Sequence, residues 1–383
     1  MLTTLAIGNY RSLRDLVLPL TPLTVITGAN GSGKSSVYRS LRLLAEASRN
    51  GAIAALAREG GLPSTLWAGP ENGTPDGQRT QGTGRKHPIA LKLGFGSDEF
   101  SYAIDLGLPT PSDRTMFSLD PEIKSESVWS GQRLRPSSLL TQRHGSMVQI
   151  RAADGLWVRH EHSLRPYDSM LSELADPSTA PELLALREQI RGWRFYDHFR
   201  TDAAAPARAA QVGTRTPVLS HDGVDLAAAL QTIRELAPTG TLDTAMDRAF
   251  PGTRVEINDH DGWFSLAVRQ PGLLRPLGAG ELSDGTLRYL LWMAALLSPR
   301  PPALLVLNEP ETSLHPTLVE PLAELIAAAA ANSQVIVVSH SVRLIEALDA
   351  LGASGIELEK RSGETAVVGL GLLESPLWSW PKR

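Results

Sequence analysis

Residues 23–47 read Leu23-Thr24-Val25-Ile26-Thr27, then Gly28-Ala29-Asn30-Gly31-Ser32-Gly33-Lys34-Ser35, then a stretch from Ser36 to Ala47 without Gly or Pro. The first run is short, apolar and β-branched, as a strand buried in a sheet would be. The last repeats Leu41, Leu43 and Leu44 at helical spacing. Between them lies a complete G-x-x-x-x-G-K-[ST] loop. Strand, glycine loop and helix N-terminus make a phosphate cradle, because backbone N–H groups and the helix dipole gather partial positive charge there. Lys34 adds a point charge, and the Ser35 hydroxyl can bind Mg²⁺. A chance glycine turn followed by Lys-Ser would explain the loop but not its flanks. The expected ligand is a nucleoside triphosphate, held by Gly28, Ala29, Asn30, Gly31, Ser32, Gly33, Lys34, Ser35 and Ser36.

The 383-residue chain is long enough for two or three domains, and 42% of its residues are hydrophobic, so a large core can form. No apolar run approaches the ~18 residues a membrane span needs, and Met1-Leu2-Thr3-Thr4 does not open a signal peptide. The absence of cysteine removes disulfides and thiolate metal sites and fits a cytoplasmic protein. A net charge of −4 argues against indiscriminate nucleic-acid binding, though not against a local basic patch.

Composition changes along the chain. The segment from Gly69 to His87 is rich in Gly, Thr and Pro and reads as a loop or long hairpin tip. Alternating runs at Ile89–Leu93, Phe100–Leu106, Val148–Arg151 and Leu156–Arg159 predict antiparallel strands over 88–160. A helix is predicted at Pro181–Arg191, a strand at Trp193–Tyr196, and a further helix at Val224–Leu236. In the last third, Ala303–Leu307 and Gln334–Val338 are near-continuous apolar runs, each followed by a helical pattern, Thr317–Ala331 and Val342–Leu351. That βαβα rhythm predicts an α/β nucleotide-binding lobe with a parallel sheet. The expected domains are 1–60 (first part of the lobe), 61–190 (a mixed-β insertion) and 191–383 (second part of the lobe).

Further motifs follow in a fixed order. Leu282-Ser283-Asp284-Gly285-Thr286 precedes a helical stretch, where Ser283 and Gly285 can offer a hydroxyl and a bare N–H to a phosphate. Alone, such a pentapeptide is a common N-cap; its place one helix before Asn308-Glu309-Pro310 favours the functional reading. Leu304–Glu309 reads as a Walker B strand with a carboxylate at its carboxyl end, where ligands of α/β sheets bind. Glu309 is placed to orient or deprotonate an attacking water. Thr312-Ser313-Leu314-His315 occupies the next loop, and Ser339-His340 ends the next buried strand, where a neutral imidazole can bond the γ-phosphate or the water.

This order resembles the ABC-type ATPase heads of the SMC, RecF and OLD group, and in particular the bacterial AAA family ATPases related to them. Asn9-Tyr10-Arg11-Ser12-Leu13 and Leu219-Ser220-His221-Asp222-Gly223 match that group as well, which makes Arg11 a candidate nucleotide contact. The resemblance covers about 1–50 and 190–345 and fades over 60–190. It implies a P-loop NTPase of the ABC-type head class, using ATP and Mg²⁺, with Lys34, Glu309 and His340 as catalytic residues. It also implies a head-to-head homodimer in which each ATP sits between Lys34 and Ser35 of one subunit and Ser283 and Gly285 of the other. One departure stands out. Asn308 replaces the Asp usual before the catalytic Glu; its carbonyl can accept from a Mg²⁺-bound water but brings no charge, so weaker metal binding and slower turnover are expected. Gln142, Gln149 and Gln211 are unranked candidates for the Q-loop glutamine.

Arg159-His160-Glu161-His162 would alternate faces on a strand and is not read as a zinc site. Asp259-His260-Asp261-Gly262 reads as a hairpin turn, and no acidic cluster after residue 345 suggests a nuclease domain. Trp378-Ser379-Trp380-Pro381 is expected to pack its aromatics onto the body of the protein, a partner-docking peptide being the alternative. The leading function is an ATP hydrolase whose dimer cycle serves a DNA-related or partner-protein event. A slowly hydrolysing, nucleotide-gated module for an effector protein is the second reading, and a small-molecule kinase, which leaves Ser283 and His340 unexplained, the third. DNA is suggested by six Arg against two acidic residues in Gly131–Arg165, and by Arg79, Arg85 and Lys86 in the glycine-rich segment.

Overall fold

A computed structural model describes residues 1–49, 51–70, 88–113, 115–152, 154–174, 177–369 and 376–383; most of the Gly69–His87 segment, with its three basic residues, lies outside them. The chain forms two compact units, one of Met1–Thr21, Gly28–Trp193 and Ile356–Arg383, the other of Pro22–Thr27 and Arg194–Gly355.

In the first unit, eight strands make one antiparallel sheet in the order Leu13–Pro19, Leu2–Tyr10, Leu91–Ser97, Phe100–Gly107, Glu122–Ser130, Leu139–His144, Met147–Arg151, Trp157–Arg159. Leu2–Tyr10 pairs with Leu91–Ser97, so residues on either side of position 60 share this sheet. Alternation produces most of these strands, yet Glu122–Ser130 carries charge inside. Glu126 and Arg143 are fully buried and 3.0 Å apart, and Glu126 also accepts from the Tyr102 hydroxyl, the Ser169 hydroxyl and the Met170 N–H. Every lone pair is satisfied, the condition for burying such a pair. Lys34–Ala47 forms the helix after the glycine loop, burying Val37, Leu41 and Leu44 on one face. The antiparallel hairpin Ser354–Arg361 and Glu364–Val367, which enters this unit at Ile356, completes it. The tail packs on the sheet, as expected. Trp378 lies 5.6 Å from Trp129 and 5.3 Å from Trp380, Lys92 sits over Trp380, and Arg383 pairs with Asp105. Burial raises the Asp105 carboxyl to about 6.

In the second unit, four parallel strands stand in the order Arg194–Tyr196, Leu304–Asn308, Gln334–Val338, Leu23–Gly28 (the last through Thr27). Gln334–Val338 is buried at every position, as a run covered on both faces should be. The helices Leu226–Leu236, Asp284–Leu296 and Val319–Ala329 pack together, with Trp292 edge-on to Phe199 at 4.9 Å. Arg254–His260 and Trp263–Arg269 form the expected hairpin, turned by Asp261 and Gly262, both at positive φ.

Candidate functional site

The glycine loop lies in the first unit, and two of its glycines are required by close contacts. A Cβ on Gly28, at φ 139°, would stand 2.1 Å from the Leu358 carbonyl oxygen, and one on Gly33, at φ 112°, 2.3 Å from the Thr365 hydroxyl. Thr365 grips the loop further: its hydroxyl donates to the Ser32 carbonyl at 2.7 Å, lies 2.9 Å from the Ser12 hydroxyl, and its N–H donates to the Ser12 carbonyl. Gly33 caps the following helix without a side chain, which leaves first-turn N–H groups for a ligand. Ala29, Asn30, Gly31 and Ser35 are exposed. Lys34 is buried and bonds back to the Gly28 and Ala29 carbonyls at 2.7 and 3.1 Å. Its ammonium therefore crosses the loop's concave side. Ser36 donates its N–H to the Gly33 carbonyl. Arg11 is engaged elsewhere: its guanidinium and the Tyr10 hydroxyl both bond Glu59 Oε2, at 2.6 and 2.7 Å.

The second unit holds the acid and imidazole. Asn308 ends its strand, and Glu309 turns sharply out of it at φ 49° with its N–H bonded to Val338. His340, past the end of the neighbouring strand, brings Nδ1 to 3.4 Å from Glu309 Oε1. Both side chains are open to solvent, so a water can reach them. Glu311, which the sequence reading passed over, sits beneath them. Its side chain is only 8% exposed and its Oε1 accepts from the Ser339 hydroxyl at 2.6 Å and from the N–H groups of His340 and Ser341. It thereby fixes the turn that presents His340. A second residue found only in the structure is Asp197, just past Arg194–Tyr196; Asn308 Nδ2 donates to its Oδ1 at 2.6 Å.

Ser283 caps the helix Asp284–Leu296, its exposed hydroxyl accepting from the Thr286 N–H. Gly285 lies so near the next loop that a Cβ would be 3.3 Å from the Ser313 carbonyl. Two arginines hold this corner. Arg208 donates to the Ala279 and Leu282 carbonyls and to Asp284 Oδ1, at 2.7, 2.9 and 2.8 Å. Buried Arg288 donates to the carbonyls of Thr312 and Phe199, and burial pulls its guanidinium below its usual value.

Other candidates are spent locally. Gln142 and Gln149 bond each other at 2.8 Å, and Gln211 Nε2 donates to the Pro206 carbonyl. Among the six arginines of Gly131–Arg165, Arg143 is buried, Arg165 pairs with Asp168, and Arg151 bonds the Pro136 and Ser137 carbonyls. The described residues include no His, Asp and Glu cluster suited to a metal, the His160 and His162 stretch included, and no helix long and apolar enough to cross a membrane.

Fold and motifs define a P-loop NTPase built as an ABC-type ATPase head of the SMC/OLD-like kind. The family model for the AAA domain described as putative AbiEii toxin, Type IV TA system, matches residues 23–346, and the chain belongs to that family. Among solved structures, an SMC head bound to the C-winged helix domain of ScpA aligns over 98% of this chain and 99% of its own, at TM-score 0.50 and 13% identity. The SMC head domain from Thermotoga maritima aligns over 97% and 99%, at TM-score 0.49 and 15% identity. At such identity the likeness concerns the fold alone. An OLD nuclease of Thermus scotoductus is 48% identical over 44 residues, 12% of this chain and 8% of that protein.

Proposed function

We propose that the chain binds ATP with Mg²⁺ at Gly28–Ser35 and hydrolyses it as a head-to-head dimer, using Lys34, Glu309 and His340. The observation that carries this reading is the Glu309–His340 pair at 3.4 Å, held at the carboxyl ends of adjacent parallel strands by Glu311. Glu309 orients and deprotonates water, and His340, whose backbone N–H is fixed by Glu311, bonds the γ-phosphate or the water through its imidazole. When bound, Mg²⁺ neutralises charge on the triphosphate; Ser35 and the strand end at Asn308 are the residues that would hold it. The open strand end, with exposed Asp197 beside it, suits a hydrated cation. Ser283 and Gly285 serve the partner's nucleotide, and turnover drives a DNA-related or partner-protein event of the repair or phage-defence type. An SMC head solved with the C-winged helix domain of ScpA bound to it makes a partner protein the stronger candidate. With Arg143 buried and Arg151 and Arg165 bonded locally, about half of the arginines of Gly131–Arg165 are withdrawn from a DNA-binding role, which leaves DNA the weaker candidate. The amide at Asn308 favours, as second reading, a slow nucleotide-gated module serving an effector.

The test is Lys34→Ala in the full chain. Equilibrium binding of ATP is expected to fall by two orders of magnitude or about 3 kcal/mol, with the melting temperature kept within a few degrees. A variant that binds and hydrolyses ATP as the parent does would overturn the reading.

A further inference from the structure

At the end of the strand Leu304–Asn308 the usual acidic position holds an amide, and the structure shows what the amide does. Arg194–Tyr196 runs parallel to this strand with Tyr196 opposite Leu307. The next residue of each strand, Asp197 and Asn308, are therefore neighbours. Asn308 Nδ2 donates to Asp197 Oδ1 at 2.6 Å. The opposite amide orientation would set a carbonyl against a carboxylate, so this bond fixes which way the amide points. Asn308 Oδ1 is then turned inward, shielded from solvent and without a hydrogen-bond partner among the described residues. It is poorly placed to meet a hydrated ion. Asp197, by contrast, is exposed. It accepts at Oδ1, and no other hydrogen bond or ion pair engages it among the described residues.

We propose that the metal-facing carboxylate of this strand end is Asp197, displaced by one strand from its usual place, and that Asn308 is the positioning residue that orients it. Asn308 leaves its own strand end one negative charge short, and the neighbouring strand supplies that charge through Asp197. The division of labour is chemically sensible. A carboxylate oxygen binds Mg²⁺ or its water far better than an amide oxygen does, and an amide N–H can restrain a carboxylate without adding charge. The inference rests on the Mg²⁺-nucleotide reading above, and its test separates the two.

The measurement is equilibrium binding of a fluorescent, non-hydrolysable ATP analogue to the full chain, in EDTA and in Mg²⁺. The ratio of the two affinities reports the metal's contribution without any turnover. Asp197→Asn keeps an acceptor for Asn308 but removes the charge. It is expected to cut the Mg²⁺ ratio about tenfold while leaving the EDTA affinity unchanged. Asn308→Ala releases the carboxylate without discharging it, and should cut the ratio only two- to fourfold. The reverse order, with Asn308→Ala the more damaging, would overturn the assignment, as would an Asp197→Asn variant that keeps the full ratio. A parent that binds the analogue in neither buffer overturns the nucleotide reading and this inference together.

Discussion

Replacing Asn308 by Asp adds a carboxylate to a strand end that already has one. The amide nitrogen lies 2.6 Å from Asp197 Oδ1, so the substitution sets one carboxylate oxygen against another at that separation. Two unit charges 2.6 Å apart repel by about 1.6 kcal/mol in bulk water and about 6 kcal/mol at an effective dielectric of 20. Asp197 is exposed, so the lower figure governs. The charge-assisted hydrogen bond is also lost, worth about 1.5–3 kcal/mol. Together these destabilise the nucleotide-free protein by about 3–5 kcal/mol, or roughly 6–20 °C in melting temperature for a unit of this size. Two adjacent carboxylates are relieved by a shared proton or a bound cation. The deficit is therefore largest in EDTA near neutral pH, and shrinks in acid or in Mg²⁺. Differential scanning fluorimetry in those three buffers measures it, with Asn308→Ala as the control that loses the hydrogen bond without gaining repulsion. A melting temperature in EDTA equal to the parent's, or no difference between the Asp and Ala variants, refutes the argument.

Further outcomes can be checked independently. Glu309→Gln with Mg²⁺-ATP should double the mass seen by light scattering at micromolar protein. Adding Ser283→Arg should keep the mass monomeric while ATP binding persists; equal masses with and without nucleotide would count against a dimer. Arg208→Met removes the donors to Ala279, Leu282 and Asp284; faster hydrogen exchange over 279–286 and a loss of about 3 kcal/mol are expected, with ATP affinity unchanged. Asp105 titrates at about 6 when folded against 3.8 otherwise. A raised carboxyl favours the folded state while protonated, so stability is shed as pH rises from about 4 to about 6. Asp105→Asn should then stabilise the protein by on the order of 2–3 kcal/mol at pH 7.5 and hardly at all at pH 4. Urea melts that differ equally at both pH values would show that another property of the side chain is responsible.

Local chemistry was legible where one signal dominated. Pro181–Arg191 starts on a proline at its first helical position, and Gln334–Val338 is apolar throughout; both elements end where the sequence places them. The places of the glycine loop, Glu309 and His340 at strand ends were readable because each follows an apolar run that forms a buried strand. Long-range partners were not. Glu122–Ser130 conceals a core position behind a charge, since Glu126 is buried only because Arg143, Tyr102 and Ser169 satisfy it. Arg11 sits in a motif, but its partner Glu59 belongs to another helix end. Asp197, Arg208, Glu311 and Thr365 stand in no recognisable pattern, and their roles come from strand register and loop packing. One charge in Asp197 follows from a register of three residue pairs, which hydropathy cannot reveal.

The brace on the glycine loop also sets a clock. Thr365 and Ser32, whose side chain and carbonyl meet at 2.7 Å, are 333 residues apart in sequence. At about 5–20 residues per second of synthesis, Ser32 leaves the ribosome roughly 20–70 s before the residue that locks it. The intervening chain includes the whole run from Arg194 to Gly355, so the second unit has the opportunity to fold first. A nascent chain thus carries its phosphate loop unbraced until Thr365 has been translated. Bracing of the loop thus waits on residue 365, and polypeptides halted before Thr365 should accumulate with the loop motif intact in sequence but slack in operation.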